Sequence, residues 1–153
     1  MKRIMIADDD PGILDAVGIM LEFEGYEVQS TLNGSTLLNM ESEFADLLLL
    51  DIWMSGADGR DICKQLKQKP ATSKIPIVLI SASKDIKHSA MEAGADDFLE
   101  KPPRTRCFCM CRTAQTPVVL VKYFHIFISW YRFFKTKNIG KLVRGDHFTG
   151  FKV

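Results

Sequence analysis

Three carboxylates, a hydroxyl and an ammonium stand at the ends of short apolar runs in this chain. Asp8 and Asp9 follow residues 4–7, Asp51 follows four leucines at 47–50, Ser81 closes the run 77–81, and Lys101 ends the run 97–101. Asp51 is the most informative of them, because burying a carboxylate is costly unless something compensates its charge. Three carboxylates gathered in one crevice repel one another, and a divalent oxygen-seeking cation relieves that repulsion. Mg²⁺ suits such a site, since it takes few carboxylates and keeps several waters. No His or Cys belongs to the group, which argues against softer metals. Lys101 adds a mobile charge that can pair with a carboxylate at rest and with phosphoryl oxygens after transfer. With the Ser81 hydroxyl, these groups would surround the equatorial oxygens of a phosphoryl group passing to Asp51. Each feature alone has a plainer meaning. Acids before a helix favour its dipole, and a Ser or a Lys-Pro at a strand end is commonplace. Their joint order on successive strands is what points to phosphoryl chemistry.

For these groups to meet, strands and returning crossovers must alternate. Residues 4–7 read as a strand, and Asp10 is placed to cap a helix starting at Pro11. Ile13, Val17, Met20 and Leu21 recur at helical spacing until Gly25 stops the pattern. A second strand is expected over 26–31 and a shorter helix over 35–43, with Leu37, Leu38 and Met40 as its apolar positions. Residues 46–51 are too apolar to have a wet face, as in a central parallel strand covered on both sides. A loop at 55–59 leads to a helix over 60–69, with Ile62 and Leu66 four apart, and Pro70 and Pro76 bracket the next loop. A buried strand at 77–81, a helix over 84–93 ending at Gly94, and a fifth strand over 97–101 complete the alternation. The pattern predicts a doubly wound α/β fold on a five-stranded parallel sheet. Ligands in such folds bind beyond the carboxyl ends of the strands, where the charged groups lie.

A chain of 153 residues that is 46% hydrophobic has enough apolar matter for a core, which excludes global disorder. Its net charge of +1 hides a step. Residues 1–102 hold 10 Lys/Arg against 18 Asp/Glu, a balance of −8, whereas residues 103–153 hold 10 against 1, a balance of +9. Aromatic residues divide as 5 and 10 across the same boundary, so the chain reads as a domain over 1–102 with a basic, aromatic-rich appendage. The first residues, Met1-Lys2-Arg3-Ile4, run straight into a strand without a secretory pattern, and a cytoplasmic location is expected. Cys63 reads as a small core hydrophobe. Cys107, Cys109 and Cys111 lack the spacing of a zinc site and read as free thiols.

Residues 1–102 resemble the receiver domain of bacterial two-component response regulators. The resemblance lies in Ile4-Met5-Ile6-Ala7-Asp8-Asp9-Asp10, in 47–51 with Met54 and Gly59, in 77–82, and in Gly94-Ala95-Asp96-Asp97-Phe98-Leu99-Glu100-Lys101-Pro102. It implies a flavodoxin-like sheet of strand order 2-1-3-4-5 and a signalling switch rather than an enzyme, with Asp51 phosphorylated from a partner histidine kinase or phosphotransfer protein. Asp9 and Asp51 would bind Mg²⁺ directly, Asp8 through water, and the backbone carbonyl of Trp53 would complete the protein ligands. Ser81 would swing toward the phosphoryl group, Phe98 would rotate inward in response, and Lys101 would contact the phosphoryl oxygens. The output would be a protein-binding surface, with no nucleic-acid role expected. Two positions depart from the family pattern. Ser55 stands where Pro is usual and is expected to loosen the loop, and the bulky Trp53 is expected to shield the acyl phosphate from water.

Other classes make different demands. A phosphotransferase or hydrolase of the haloacid-dehalogenase type wants a second Asp two residues after the nucleophile, where this chain has Trp53. A flavin site of similar topology wants a Ser/Thr-rich phosphate loop after the first strand, where Asp8-Asp9-Asp10 would repel a phosphate. A degraded receiver that serves only as a protein-interaction module is a third reading.

The resemblance stops at Pro102, before the family's final helix. Over 118–134, Lys122, His125, Ser129 and Arg132 fall on one helical stripe among apolar and aromatic residues. That pattern suits a substitute packing helix, and an interfacial membrane helix is the next reading. A spanning helix would be short and costly with three basic side chains, and no helix-turn-helix pattern supports nucleic-acid binding. A shift of reading frame near Pro102 would produce the same compositional step.

Overall fold

The computed structural model of the chain describes residues 2–40, 45–83 and 86–101. The expected helix over 118–134 and the three alternating cysteines lie outside the described residues. β1 (Arg3–Ala7), β2 (Glu27–Thr31), β3 (Leu47–Asp51), β6 (Ile77–Ser81) and β7 (Asp97–Glu100) form one parallel sheet of order β2-β1-β3-β6-β7. In sequence order of the main strands this is 2-1-3-4-5, the flavodoxin-like arrangement. Between β3 and β6 lie a small antiparallel hairpin, β4 (Trp53–Met54) with β5 (Ala57–Asp58), and helix α2 (Gly59–Gln68).

The leucine run makes sense on this sheet. Side chains alternate across a strand, so Leu48 and Leu50 enter the core beneath α2, whereas Leu47 and Leu49 enter the core beneath α1 (Pro11–Phe23). All four are 0% exposed, as a central strand covered on both faces requires. α1 buries Ile13, Val17, Met20 and Leu21, the positions expected from spacing, and Leu14 in addition. Asp10 caps it by accepting from Gly12 N at 2.9 Å, and Pro11 occupies its first turn. α2 buries Ile62, Cys63 and Leu66 and is capped by Asp58, which accepts from Arg60 N at 2.8 Å. Cys63 is a core residue, with its thiol pushed up to about 11 by burial.

Two elements differ from the sequence expectation. The helix expected over 35–43 is a 3-10 helix, Gly34–Asn39, and Met40 leaves it in an extended conformation. Leu37 is its one fully buried large side chain, too little apolar surface to hold several helical turns. Of the loop expected at 55–59, Ser55 and Gly56 form the turn and Ala57–Asp58 the second strand of the β4–β5 hairpin, with Trp53 paired to Asp58 and Met54 to Ala57. Gly56 supplies its turn at φ +85°, a conformation that a side chain disfavours. Helix α3 (Lys87–Glu92) precedes β7 and falls within the 84–93 expected, of which residues 84 and 85 lie outside the described residues.

Candidate functional site

Register brings the strand ends together. Ala7 pairs with Leu50, Asp51 with Ile80, and Ser81 with Glu100, so the loops after β1, β3, β6 and β7 open on one edge of the sheet. Backbone bonds extend that edge. Ile52 N donates to Ile80 O at 2.9 Å, and Lys101 N donates to Ser81 O at 2.7 Å. The second bond fixes where Lys101 leaves the sheet, and its side chain then reaches back over the strand ends.

Asp8, Asp9 and Asp51 each place a carboxylate oxygen within 4.8 Å of the others. Asp8 and Asp51 are buried, 2% and 3% exposed, while Asp9 lies at the exposed rim. Lys101 Nζ sits 2.7 Å from Asp8 Oδ2 and 2.9 Å from Asp51 Oδ2. Asp8 Oδ1 also accepts from Asp10 N at 2.9 Å, which holds the carboxylate in its loop.

Burial pushes the Asp51 carboxyl up to about 6, with Asp8 adding to the shift, although Lys101 and the Trp53 backbone N–H pull the other way. Burial also disfavours charge on Lys101, but the attraction of Asp8 and Asp51 outweighs it and raises the ammonium's pKa. The two shifts have different causes, burial for Asp51 and the attraction of two carboxylates for Lys101. A single ammonium shared between two buried carboxylates offsets only part of the cost of burying Asp51. An all-oxygen set of three carboxylates with an excess of negative charge fits a hard divalent cation.

Ser81 is fully buried at the end of β6, and its Oγ accepts from Ser83 N at 3.2 Å. Phe98 is 8% exposed and packs in the core beneath α2. Trp53 is 57% exposed beside the site, with the Arg60 guanidinium 5.4 Å from its ring centre. Arg60 is in turn gripped by Asp58 and donates to Ser89 Oγ at 3.2 Å.

Ser55 corrects the expectation of a loosened loop. Its Oγ and backbone N–H donate to Asp9 Oδ2 at 2.8 and 3.2 Å, tying the hairpin turn to the loop after β1. Gly59 and Arg60 also have positioning roles that the sequence reading did not assign. A Cβ on Gly59 would stand 2.2 Å from the Asp51 carbonyl oxygen, so only glycine lets α2 start this close to the end of β3. The signal for Gly59 was its place directly after a capping Asp, which could be read only with the partner backbone in view.

A profile of the response regulator receiver domain matches residues 4–108. The chain belongs to this family. A receiver is a phosphoacceptor rather than an enzyme in the usual sense, and receivers are phosphorylated by histidine kinases. This receiver is 38% identical over 105 residues to the DNA-binding dual master transcriptional regulator RpaA of Synechocystis, covering 67% of this chain and 44% of that protein. It is 39% identical over 103 residues to the response regulator PleD of Caulobacter vibrioides, covering 65% of this chain and 23% of that one. The receiver thus spans less than half the length of these curated relatives. Among solved structures, it is similar to the response regulator TrrA of Thermotoga maritima in complex with Mg²⁺ and BeF. That likeness has a TM-score of 0.59 and 31% identity, covering 67% of this chain and 88% of the other. Membership separates the receiver from haloacid-dehalogenase-type enzymes, in keeping with Trp53 standing where their second Asp would be. Among the described residues, no helix is long and apolar enough to cross a membrane.

Proposed function

We propose that Asp51 is the phosphoacceptor of a Mg²⁺-dependent switch, phosphorylated by a histidine kinase or phosphotransfer protein. One observation carries the reading: Asp51 is buried at a strand end with Lys101 on one of its oxygens and two further carboxylates in reach. Asp8, Asp9, Asp51 and the Trp53 backbone carbonyl would hold the cation. When bound, Mg²⁺ offsets the excess carboxylate charge and draws negative charge from a phosphoryl oxygen. An Asp51 carboxylate oxygen attacks the phosphorus of the donor; a P–O bond forms as the donor's P–N bond breaks. Lys101, already on Asp51, shifts to the incoming phosphoryl oxygens and keeps an ionic partner throughout.

Ser81 Oγ accepts from Ser83 N through a lone pair, and its own hydroxyl proton would be donated to a phosphoryl oxygen. It turns to the phosphoryl group, and Phe98 follows as the aromatic element of the switch. The output is a surface for a downstream protein, and the protein works in the cytoplasm. Residues 1–102 form the switch, with residues 103–153 as a basic, aromatic-rich appendage.

Incubation with Mg²⁺ and a small phosphodonor, followed by intact mass measurement, tests the reading. One phosphoryl adduct is expected, absent in Asp51→Ala and without Mg²⁺. A folded wild-type protein that gains no adduct would instead be a protein-interaction module without the switch.

A further inference from the structure

We propose that Ser55 is a positioning residue for the cation site, holding the Asp9 carboxylate at the rim of the acidic cluster so that Mg²⁺ binds more tightly. The inference rests on the reading of Asp8, Asp9 and Asp51 as the Mg²⁺ site. The three carboxylates are supported unequally. Asp8 and Asp51 are buried and share Lys101, so packing and an ammonium hold both in place. Asp9 is exposed on a loop, with two negative neighbours within 4.8 Å. Repulsion favours rotamers that swing it into solvent.

Ser55 opposes that tendency from a segment 46 residues away. Its hydroxyl and N–H converge on the single oxygen Oδ2, at 2.8 and 3.2 Å, and leave Oδ1 clear of both bonds. The turn makes this convergence possible. Ser55 and Gly56 form the two-residue loop between β4 and β5, and the positive φ of Gly56 closes it tightly. A side chain of one carbon and one oxygen then reaches the same atom as its own N–H. Holding a ligand in its binding orientation removes an ordering cost that would otherwise be met when the cation arrives. Donors that orient metal-binding carboxylates act in this way, typically contributing about 10- to 100-fold in affinity. At an exposed carboxylate the effect should be smaller, roughly 3- to 10-fold for the hydroxyl alone.

The choices at residue 55 separate the two donors. Ser55→Thr keeps both, Ser55→Ala keeps only the N–H, and Ser55→Pro keeps neither while fitting a tight turn. Calorimetric titration of the full chain with MgCl₂ provides the readout, alongside thermal unfolding of each metal-free variant. The expected result is weaker Mg²⁺ binding in Ala, weaker still in Pro, and binding within about twofold of wild type in Thr, with metal-free unfolding temperatures unchanged. Equal or tighter binding in Ser55→Ala would overturn the proposal. So would a loss of affinity matched by a loss of metal-free stability, which would mark Ser55 as merely structural. A wild-type protein that binds no Mg²⁺ would overturn the cation-site reading itself, a result distinct from equal binding by wild type and variant.

Discussion

Lys101 Nζ lies 2.9 Å from Asp51 Oδ2 while also 2.7 Å from Asp8 Oδ2, so one ammonium serves two buried carboxylates. The arrangement is electrostatically incomplete, and its consequences can be measured.

The first consequence is a pH dependence of stability. Asp51 has its carboxyl raised from 3.8 to about 6 by burial, so between those values the folded chain holds a proton that the unfolded chain releases. Its contribution therefore makes the metal-free protein less stable as pH rises from about 4 to above 6. Asp51→Asn removes that penalty. Urea denaturation without metal should show the variant more stable than wild type at pH 7.5, by on the order of 2 kcal/mol. The difference should shrink toward zero near pH 4, and Mg²⁺ should narrow it at neutral pH by stabilising the wild type.

Close approach at the start of α2 gives a second prediction. Gly59→Ala would drive a methyl group to 2.2 Å from the Asp51 carbonyl oxygen and 3.0 Å from the Asp51 carbonyl carbon and Ile52 Cα, all backbone atoms, which yield little. A loss of about 2–3 kcal/mol in unfolding free energy is expected. Phosphoryl adduct formation should slow as well, because the displaced atoms belong to Asp51 itself.

The proposed shielding of an acyl phosphate on Asp51 by Trp53 gives a third prediction. The exposed indole is held beside the site by a guanidinium 5.4 Å from its centre, and that guanidinium is anchored by Asp58 and Ser89. Trp53→Asn should speed dephosphorylation several-fold by admitting water. Arg60→Ala should act in the same direction but less strongly, since the ring remains while its support is lost. Both rates follow from the decay of the phosphorylated mass peak; unchanged decay in Trp53→Asn would remove the shielding role.

The central strand sets the stability of the platform. Leu49 is fully buried between β1 and β6 in the core beneath α1. Leu49→Ala should cost about 3–4 kcal/mol in urea denaturation through lost burial and a residual cavity. Leu49 stands two residues before Asp51 in the same strand, so Mg²⁺ titration of the folded fraction, run alongside, should show a smaller effect than the loss of stability.

Much of this protein is written locally. The leucines before Asp51 mark a strand buried on both faces, because alternation sends them to opposite cores. The helical spacing of Ile13, Val17, Met20 and Leu21 marks the face of α1 that reaches the sheet. Alternating strands and crossovers were enough to predict a doubly wound parallel sheet with Asp8, Asp9, Asp51, Ser81 and Lys101 along one edge, while the strand order came with the family resemblance. The 3-10 helix was not legible, because its length depends on how little apolar surface Leu37 alone can bury against neighbours far along the chain. The bonds from Ser55 to Asp9 were equally hidden, since neither residue signals a partner 46 positions away. Gly59 owes its necessity to a carbonyl oxygen that only the packed backbone brings near. Residue types and their periods thus determined which groups reach the site. Tertiary structure alone decided which of them touch, because hydrogen bonds and ion pairs depend on distances of a few ångströms between loops that the sequence holds far apart.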